Sequence, residues 1–427
     1  MSEKSESRPS SMDFGWTRIA TKLSLLLCAA RRVSRLKSSS TTALRSTLAL
    51  LNIMPASLLP ALFPASAVGD RPVVVMDGGM GTTLQAPPFE LGLDSALWRS
   101  ASFIHCSLRA RLTPCAISRY RNNPPDRNSS ELLTTDEGKA KLTELHTLWI
   151  NSGAEILGSC TYQSSIPLFL DPTSSSYTQD DIEKALKTMN AAMPVITSPS
   201  LPSVPRAPNG RAVAALSLGP FGAQVQPGQE YAGLYPAPYG RHPSPAKISY
   251  TDAAQAACPL QLEWIGETND REEDHLAAWH LQRLEDFAKE PAFEKMGILA
   301  FETTPLVREA RAIRRAMDMF DLAREGEGMR QKPFYIAFVF PAAEEGRPLL
   351  PDKDLERLTL EEQAKQVVEA TFGEREGSAM PAAIGINCTN PLNLEKVIDA
   401  LAKGMEETVA EREERPWLVL CEFPLSL

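Results

Sequence analysis

The 427-residue sequence has little histidine, no closely paired cysteines and no long hydrophobic run. Five histidines leave scant material for an imidazole-based metal site. The seven cysteines (Cys28, Cys106, Cys115, Cys160, Cys258, Cys388 and Cys421) contain neither a CxxC spacing nor an adjacent pair. An odd, dispersed set fits a reducing compartment better than a disulfide framework. No segment has the length and purity of a membrane span, so no membrane partner is expected. A net charge of −9 argues against nucleic acid as a partner, because phosphate binding needs clustered Lys and Arg. What remains is a hydrophobic content of 43%, ample for a sizeable core.

Acid is missing locally as well. Residues 14–69 hold seven basic residues and no Asp or Glu, and are rich in Ser, Ala and Leu. Their composition resembles a mitochondrial presequence; the alternatives are a disordered extension or a start assigned upstream of Met54. Residues 1–70 are therefore set apart from the fold. The expected location is the cytoplasm, or the mitochondrion if this segment is a true presequence. Residues 99–130 are basic, acid-free until Asp126 and without sustained periodicity, which reads as a surface insertion or as sequence outside folding constraint.

From residue 71 short apolar runs alternate with helical patterns: "PVVVMDGG" (72–79), "AEILGSC" (154–160), "AVAALSLG" (212–219), "MGILAFET" (296–303), "FYIAFVF" (334–340), "AAIGINC" (382–388) and "WLVLCEF" (417–423). These runs are too densely apolar for one-sided strands and read as parallel strands buried on both faces. Between them, Thr134-x-x-Glu137 reads as a capping box, with Leu142, Leu145 and Trp149 on one face and Gly153 at the helix end. Thr304-Pro305 and Asn390-Pro391 each place an N-cap side chain before a proline. About seven strands point to an α/β fold, a (β/α) barrel, over residues 71–427; spacing alone leaves a doubly wound sheet open. Residues 220–248, rich in Pro, Gly and Tyr, read as a long ordered loop over a site.

Polar residues collect where the strands finish: Asp77, Cys160 with Tyr162, Glu302 and Cys388. In a parallel barrel these ends share the face that carries function. Asp77-Gly78-Gly79 combines a carboxylate with glycines that allow close backbone approach, or is simply a tight turn. Glu302 follows five apolar residues and needs a donor or a ligand ammonium if buried. Cys388 abuts a helix start, where the dipole favours a thiolate and lowers its pKa. A metal ligand, a nucleophile and an inert core cysteine all remain open there.

As a set, "MDGGMGTTL" (76–84), "GAEILGSCTYQSS" (153–165), "SLGPFGA" (217–223), "GQEYAGLY" (228–235), "FETTPLVREA" (301–310) and "GINCTNP" (385–391) resemble the homocysteine S-methyltransferase family. The resemblance implies a (β/α)8 TIM-type barrel, here incomplete at the C-terminus, and a zinc-dependent enzyme that moves a methyl group from a sulfonium donor, S-methylmethionine or S-adenosylmethionine, to homocysteine. It implies Cys388 as catalytic residue and zinc ligand. It also implies a substrate pocket of Asp77, Gly78, Gly79, Tyr162, Glu230, Tyr231, Glu302 and Asn387. The family's other two ligands are adjacent cysteines in a Gly-Gly-Cys-Cys run, which this sequence lacks. The expectation is that the partners of Cys388 lie past the C-terminus and that the chain is a truncated product, with residues 99–130 a retained intron. A non-catalytic remnant is the competing reading, and a metal-independent cysteine nucleophile a third.

Overall fold

The computed structural model describes residues 74–77, 80, 131–205, 207, 210–326, 328–341, 348–408 and 416–422. All lie in the compact unit Ile53–Leu427. The readings made for residues 1–70 and 99–130, and for Gly78 and Gly79, fall outside the described residues.

Six strands form one parallel sheet: β1 (Ile156–Gly158), β2 (Val213–Leu218), β3 (Ile298–Thr304), β4 (Phe334–Phe338), β5 (Ala383–Thr389) and β6 (Trp417–Glu422). They pair in the order in which the chain makes them. A doubly wound sheet requires a reversal of strand order, so that alternative is excluded for these strands. Of the seven apolar runs, six are strands and the first is a single parallel bridge, Met76 to Ile156. Three backbone bonds support it: Asp77 N to Ile156 O at 3.0 Å, and Glu155 N and Ile156 N to Val75 O at 2.7 and 3.1 Å.

The two faces of the sheet differ because alternate residues point opposite ways. One face presents Leu157, Ala214, Leu216, Leu299, Phe301, Phe334, Ile336, Phe338, Ile384 and Ile386 to the helices. Burying each large side chain there contributes about 1.5–3 kcal/mol. The helices are α1 (Asp136–Asn151), α2 (Gln179–Asn190), α3 (Arg271–Ala288), α4 (Val307–Gly326), α5 (Leu360–Phe372) and α6 (Pro391–Thr408). From α3 to α6 each packs on the next. The opposite face carries smaller residues, Ala215, Ala300, Ala337 and Ala383, beside Ile156, Val213, Ile298 and Tyr335. Gly385 also lies there, where a Cβ would stand 2.8 Å from that of Ala337. The sheet curls toward this small-residue face, and among the described residues no pairing closes it.

Helix starts follow the sequence signals with two corrections. Asn390 accepts from Leu392 N at 2.9 Å, as its position before Pro391 predicts. The cap of α1, however, is Thr135, whose hydroxyl accepts from Gly138 N at 3.0 Å. Thr134 instead ends a one-turn helix, Glu131–Thr134, that packs directly on Gly138. Thr304 remains in β3, and α4 begins at Val307, whose N–H reaches Asp352 Oδ2 at 3.0 Å. That cap comes from 45 residues along the chain, beyond any local motif. None of the described helices is long and apolar enough to cross a membrane.

On α1, Leu142, Leu145 and Trp149 are buried together, and so is His146. The His146 Nδ1 has no hydrogen-bond partner, and burial pushes the imidazole down to about 4. It is neutral in the fold but protonates near 6.5 when unfolded, so the folded state loses stability as pH falls from about 6.5 and the loss is complete below about 4. The shift corresponds to about 3 kcal/mol. Urea unfolding of His146→Leu against the parent should show the stability difference move by about that amount between pH 7 and pH 4; a constant difference would refute this account.

Candidate functional site

The site forms at the carboxyl ends of the strands, on the small-residue face. Strand parity brings Ser217, Glu302, Tyr335 and Asn387 to that face, in line with Ala215, Ala300, Ala337 and Gly385. The same parity would send Thr303 and Cys388 to the helix side. Two irregularities turn them back. Register shifts lie between Phe301 and Thr304 on β3, and between Ile386 and Thr389 on β5. At their centres Thr303 has φ +58° and Cys388 φ +50°. Left-handed φ in a β-branched residue is an outlier, with a cost on the order of 1–3 kcal/mol. Glu302-Thr303 and Asn387-Cys388 thus each deliver two consecutive side chains to one place.

Hydrogen bonds hold the two bulges together. Thr303 N donates to Asn387 Oδ1 at 2.8 Å, and Asn387 Nδ2 donates to Thr303 Oγ1 at 2.8 Å. These strands are not neighbours, since β4 lies between them. In a flat sheet next-nearest strands stand roughly 9.5 Å apart, so the direct bond requires the curl. Cys388 Sγ lies 3.8 Å from Thr303 Oγ1 and 3.7 Å from Asn387 Nδ2. The hydroxyls of Tyr231 and Tyr162 complete the cluster, bonding to Cys388 and Thr303 respectively.

Glu302 and Glu230 lie within electrostatic reach of this sulfur, and Asp77 lies within reach of Glu302. Glu302 accepts from Ser217 Oγ at 2.8 Å and from Tyr335 OH at 3.0 Å. Burial nevertheless raises its pKa, the two donors only partly opposing the shift. Asp77 Oδ2 accepts from Gly158 N at 2.6 Å, and burial pushes its carboxyl up to about 8, with Glu302 adding to the rise. Glu230 is buried and within electrostatic reach of Cys388, Tyr162 and Tyr231. Neither Asp77 nor Glu302 has a cationic partner among the described residues.

Cys388 itself departs from the sequence expectation. Its thiol is pushed up, to about 11, chiefly by burial, against the lowering hydrogen bonds of Tyr231 and Thr303. The start of α6 does not rescue a thiolate because its first amides are committed to Asn390: Leu392 N to the side chain, and Asn393 N to the carbonyl at 2.8 Å. Cys160 lies elsewhere, packed with Leu133, Leu142, Ala192 and Val195 on the helix side. Among the described residues no group of three His, Cys, Asp or Glu side chains is placed to hold a metal ion.

Supporting residues were less visible in the sequence. Ser217 and Tyr335 had a signal, each being a polar group that interrupts an apolar strand on the Glu302 side. Glu309 and Arg283 had none. Glu309, fully buried on α4, accepts from Phe221 N at 2.6 Å, Tyr235 OH at 2.5 Å and His280 Nε2 at 3.2 Å. It anchors the 220–248 loop, which also stacks Phe221 on Tyr239 with ring centroids 3.7 Å apart. Burial lowers the His280 pKa despite Glu309, so this imidazole is neutral. The loop's short antiparallel pair, Val225–Gln226 with Lys247–Ile248, likewise lacked a sequence signal.

Comparison with known proteins places these features in context. The homocysteine S-methyltransferase family profile matches residues 74–422. The chain is 23% identical to homocysteine S-methyltransferase 1 of Zea mays over 339 residues, 79% of this chain and 75% of that protein. It is similar to two crystal structures of the homocysteine methyltransferase MmuM from Escherichia coli. The metallated form shows 15% identity, TM-score 0.39, and coverage of 83% and 94% of the two chains. The oxidized form shows 16% identity, TM-score 0.41, and coverage of 84% and 94%.

Two outcomes test this geometry. Asn387→Ala removes both bonds between the bulges and should cost about 2–3 kcal/mol in urea unfolding; a loss under about 0.5 kcal/mol would mean the bulges stand without it. Peptide-resolved alkylation at Cys388 should quicken steadily with pH toward a plateau near 11. A plateau below 8 would restore the thiolate that the helix start suggests.

Proposed function

The chain belongs to the homocysteine S-methyltransferase family, and we propose that its pocket binds homocysteine and serves methyl transfer from a sulfonium donor to the homocysteine sulfur, giving methionine. One observation carries this reading. Asp77 and Glu302 are held at raised pKa, and among the described residues neither has a cationic partner. Such a pocket is short of positive charge, and both substrates bring it: an amino-acid ammonium and a sulfonium. On this reading Asp77 and Glu302 pair with the ammonium, and Asn387 holds the floor through Thr303. Tyr162 and the Glu230-Tyr231 loop cover the sulfur atoms. The six strands and the Met76 bridge are then seven strands of an eight-stranded TIM-type barrel.

The reaction balances without a general acid. The substrate sulfur forms a bond to the methyl carbon, and the donor's carbon–sulfur bond breaks. The bonding pair returns to the donor sulfur, which becomes a neutral thioether, either methionine from S-methylmethionine or S-adenosylhomocysteine from S-adenosylmethionine. The substrate's thiol proton is released. S-methylmethionine and S-adenosylmethionine satisfy this chemistry equally.

Zinc of the kind the family resemblance implies takes three thiolates and leaves a fourth position open. The described residues do not fit it. Cys388 is the one sulfur at the site, Cys160 packs on the helix side and Cys258 caps a short helix. The whole sequence contains no adjacent cysteine pair. Cys388 is the single position to which a ligand role carries over, and we derive no step through the metal. A second reading, a homocysteine binder without catalysis, is favoured by the lack of any further thiol beside Cys388 among the described residues.

Calorimetry on the full chain separates these readings. Asp77, with its pKa at about 8, is largely protonated in the empty pocket at pH 7. Pairing with an ammonium restores its charge, so L-homocysteine binding should release protons to the buffer and tighten as pH rises from 7 to 8. Glu302→Gln should weaken binding by about tenfold or more. No homocysteine binding at millimolar concentration would overturn the proposal. Metal analysis decides between enzyme and binder: negligible zinc with binding intact supports the binder, and one zinc per chain supports the enzyme.

A further inference from the structure

We propose that Arg283 is a positioning residue for this pocket, locking the loops after β1 and β2 together so that the Tyr162 ring is held against Thr303. Arg283 projects from α3 and is 3% exposed. Its Nε donates to Ser164 O at 2.7 Å and its Nη1 to Gly219 O at 2.9 Å. Its Nη2 donates to Thr161 O at 2.7 Å and Tyr162 O at 2.6 Å. All four acceptors are backbone carbonyls, three from the segment after β1 and one from the residue after β2. No carboxylate forms a salt bridge with this guanidinium among the described residues. A buried charge that meets only carbonyls is costly, and its product here is geometric.

The locked segment is the seat of Tyr162. Gly219 N donates to Tyr162 O at 2.8 Å. A Cβ at Gly219 would lie 2.8 Å from the Tyr162 ring and 2.7 Å from its carbonyl oxygen. The ring therefore rests directly on the Gly219 backbone, and its hydroxyl reaches Thr303. The indole of Trp279, 5.2 Å from the guanidinium carbon, and the Phe287 ring at 5.9 Å flank Arg283 and limit its rotamers. A lysine offers one nitrogen with three donors and no planar fork, so it cannot span acceptors from both loops in the same way.

The role in ligand binding rests on the homocysteine reading, whereas the placement of Tyr162 does not, and two measurements keep them apart. Peptide-resolved nitration by tetranitromethane reads the placement alone. Arg283→Lys should raise nitration of Tyr162 by about threefold or more and leave Tyr235 and Tyr335 unchanged. L-homocysteine titration reads the consequence: Arg283→Lys should weaken binding about tenfold in the parent but less than about twofold in a Tyr162→Ala background. A merely structural role predicts equal weakening in both backgrounds and increased nitration at all three tyrosines. Either result, or unchanged nitration at Tyr162, overturns the proposal. Loss of homocysteine binding in the parent chain, with nitration at Tyr162 still raised in the variant, refutes the homocysteine reading and keeps Arg283 as the residue that seats Tyr162. Should Arg283→Lys fail to fold, Gly219→Ala disturbs the same seat with the guanidinium intact and should reproduce the selective rise at Tyr162; unchanged nitration there also overturns the proposal.

Discussion

The two-point link between Asn387 and Thr303 is the interaction on which the site depends. It joins strands that are not neighbours and holds each in a bulge with a left-handed residue at its centre. Without it, parity would leave Glu302 and Asn387 in the pocket and turn Thr303 and Cys388 toward the helices. Backbone strain concentrated at one place and opposed by buried hydrogen bonds is the usual form of a built site. Here the strain brings a sulfur, a hydroxyl and a carboxylate within reach of one another.

Around that link the protein has assembled an unusual electrostatic environment. Asp77 and Glu302 sit half-buried beside neutral hydroxyl and amide donors, and desolvation pushes their pKa values up. The charged groups that support it stand one layer back. Glu309 meets donors from the covering loop and from α3, and Arg283 meets carbonyls of two strand-end loops. Both are satisfied mainly by backbone or neutral partners, so they constrain geometry while adding no ion pair to the pocket. The thiol of Cys388 shares this logic: burial outweighs its two hydroxyl donors and keeps the proton on sulfur.

Much of the architecture was legible because it depends on local pattern. The apolar runs of 154–160, 212–219, 296–303, 334–340, 382–388 and 417–423 each contain a strand, since double-sided burial writes itself into continuous hydrophobicity. Asn390-Pro391 marked a helix start correctly because both halves of that signal are adjacent in sequence. Thr304-Pro305 misled because the N–H of Val307 is met by Asp352, a partner that no local window contains. Thr134 misled by one residue because a preceding helical turn claimed it.

The sequence by itself determined the alternation of strands and helices, the family and the identity of the polar residues at the strand ends, because each is encoded in contiguous residues. Only the tertiary structure decided that Cys388 is a half-buried thiol whose pKa is pushed up to about 11, and that Thr303 shares its site. It alone brought Glu309 and Arg283 to the loops beside the site. The reason is physical: burial and backbone curvature arise from elements far apart in the chain, and they outweigh what a residue's immediate neighbours suggest.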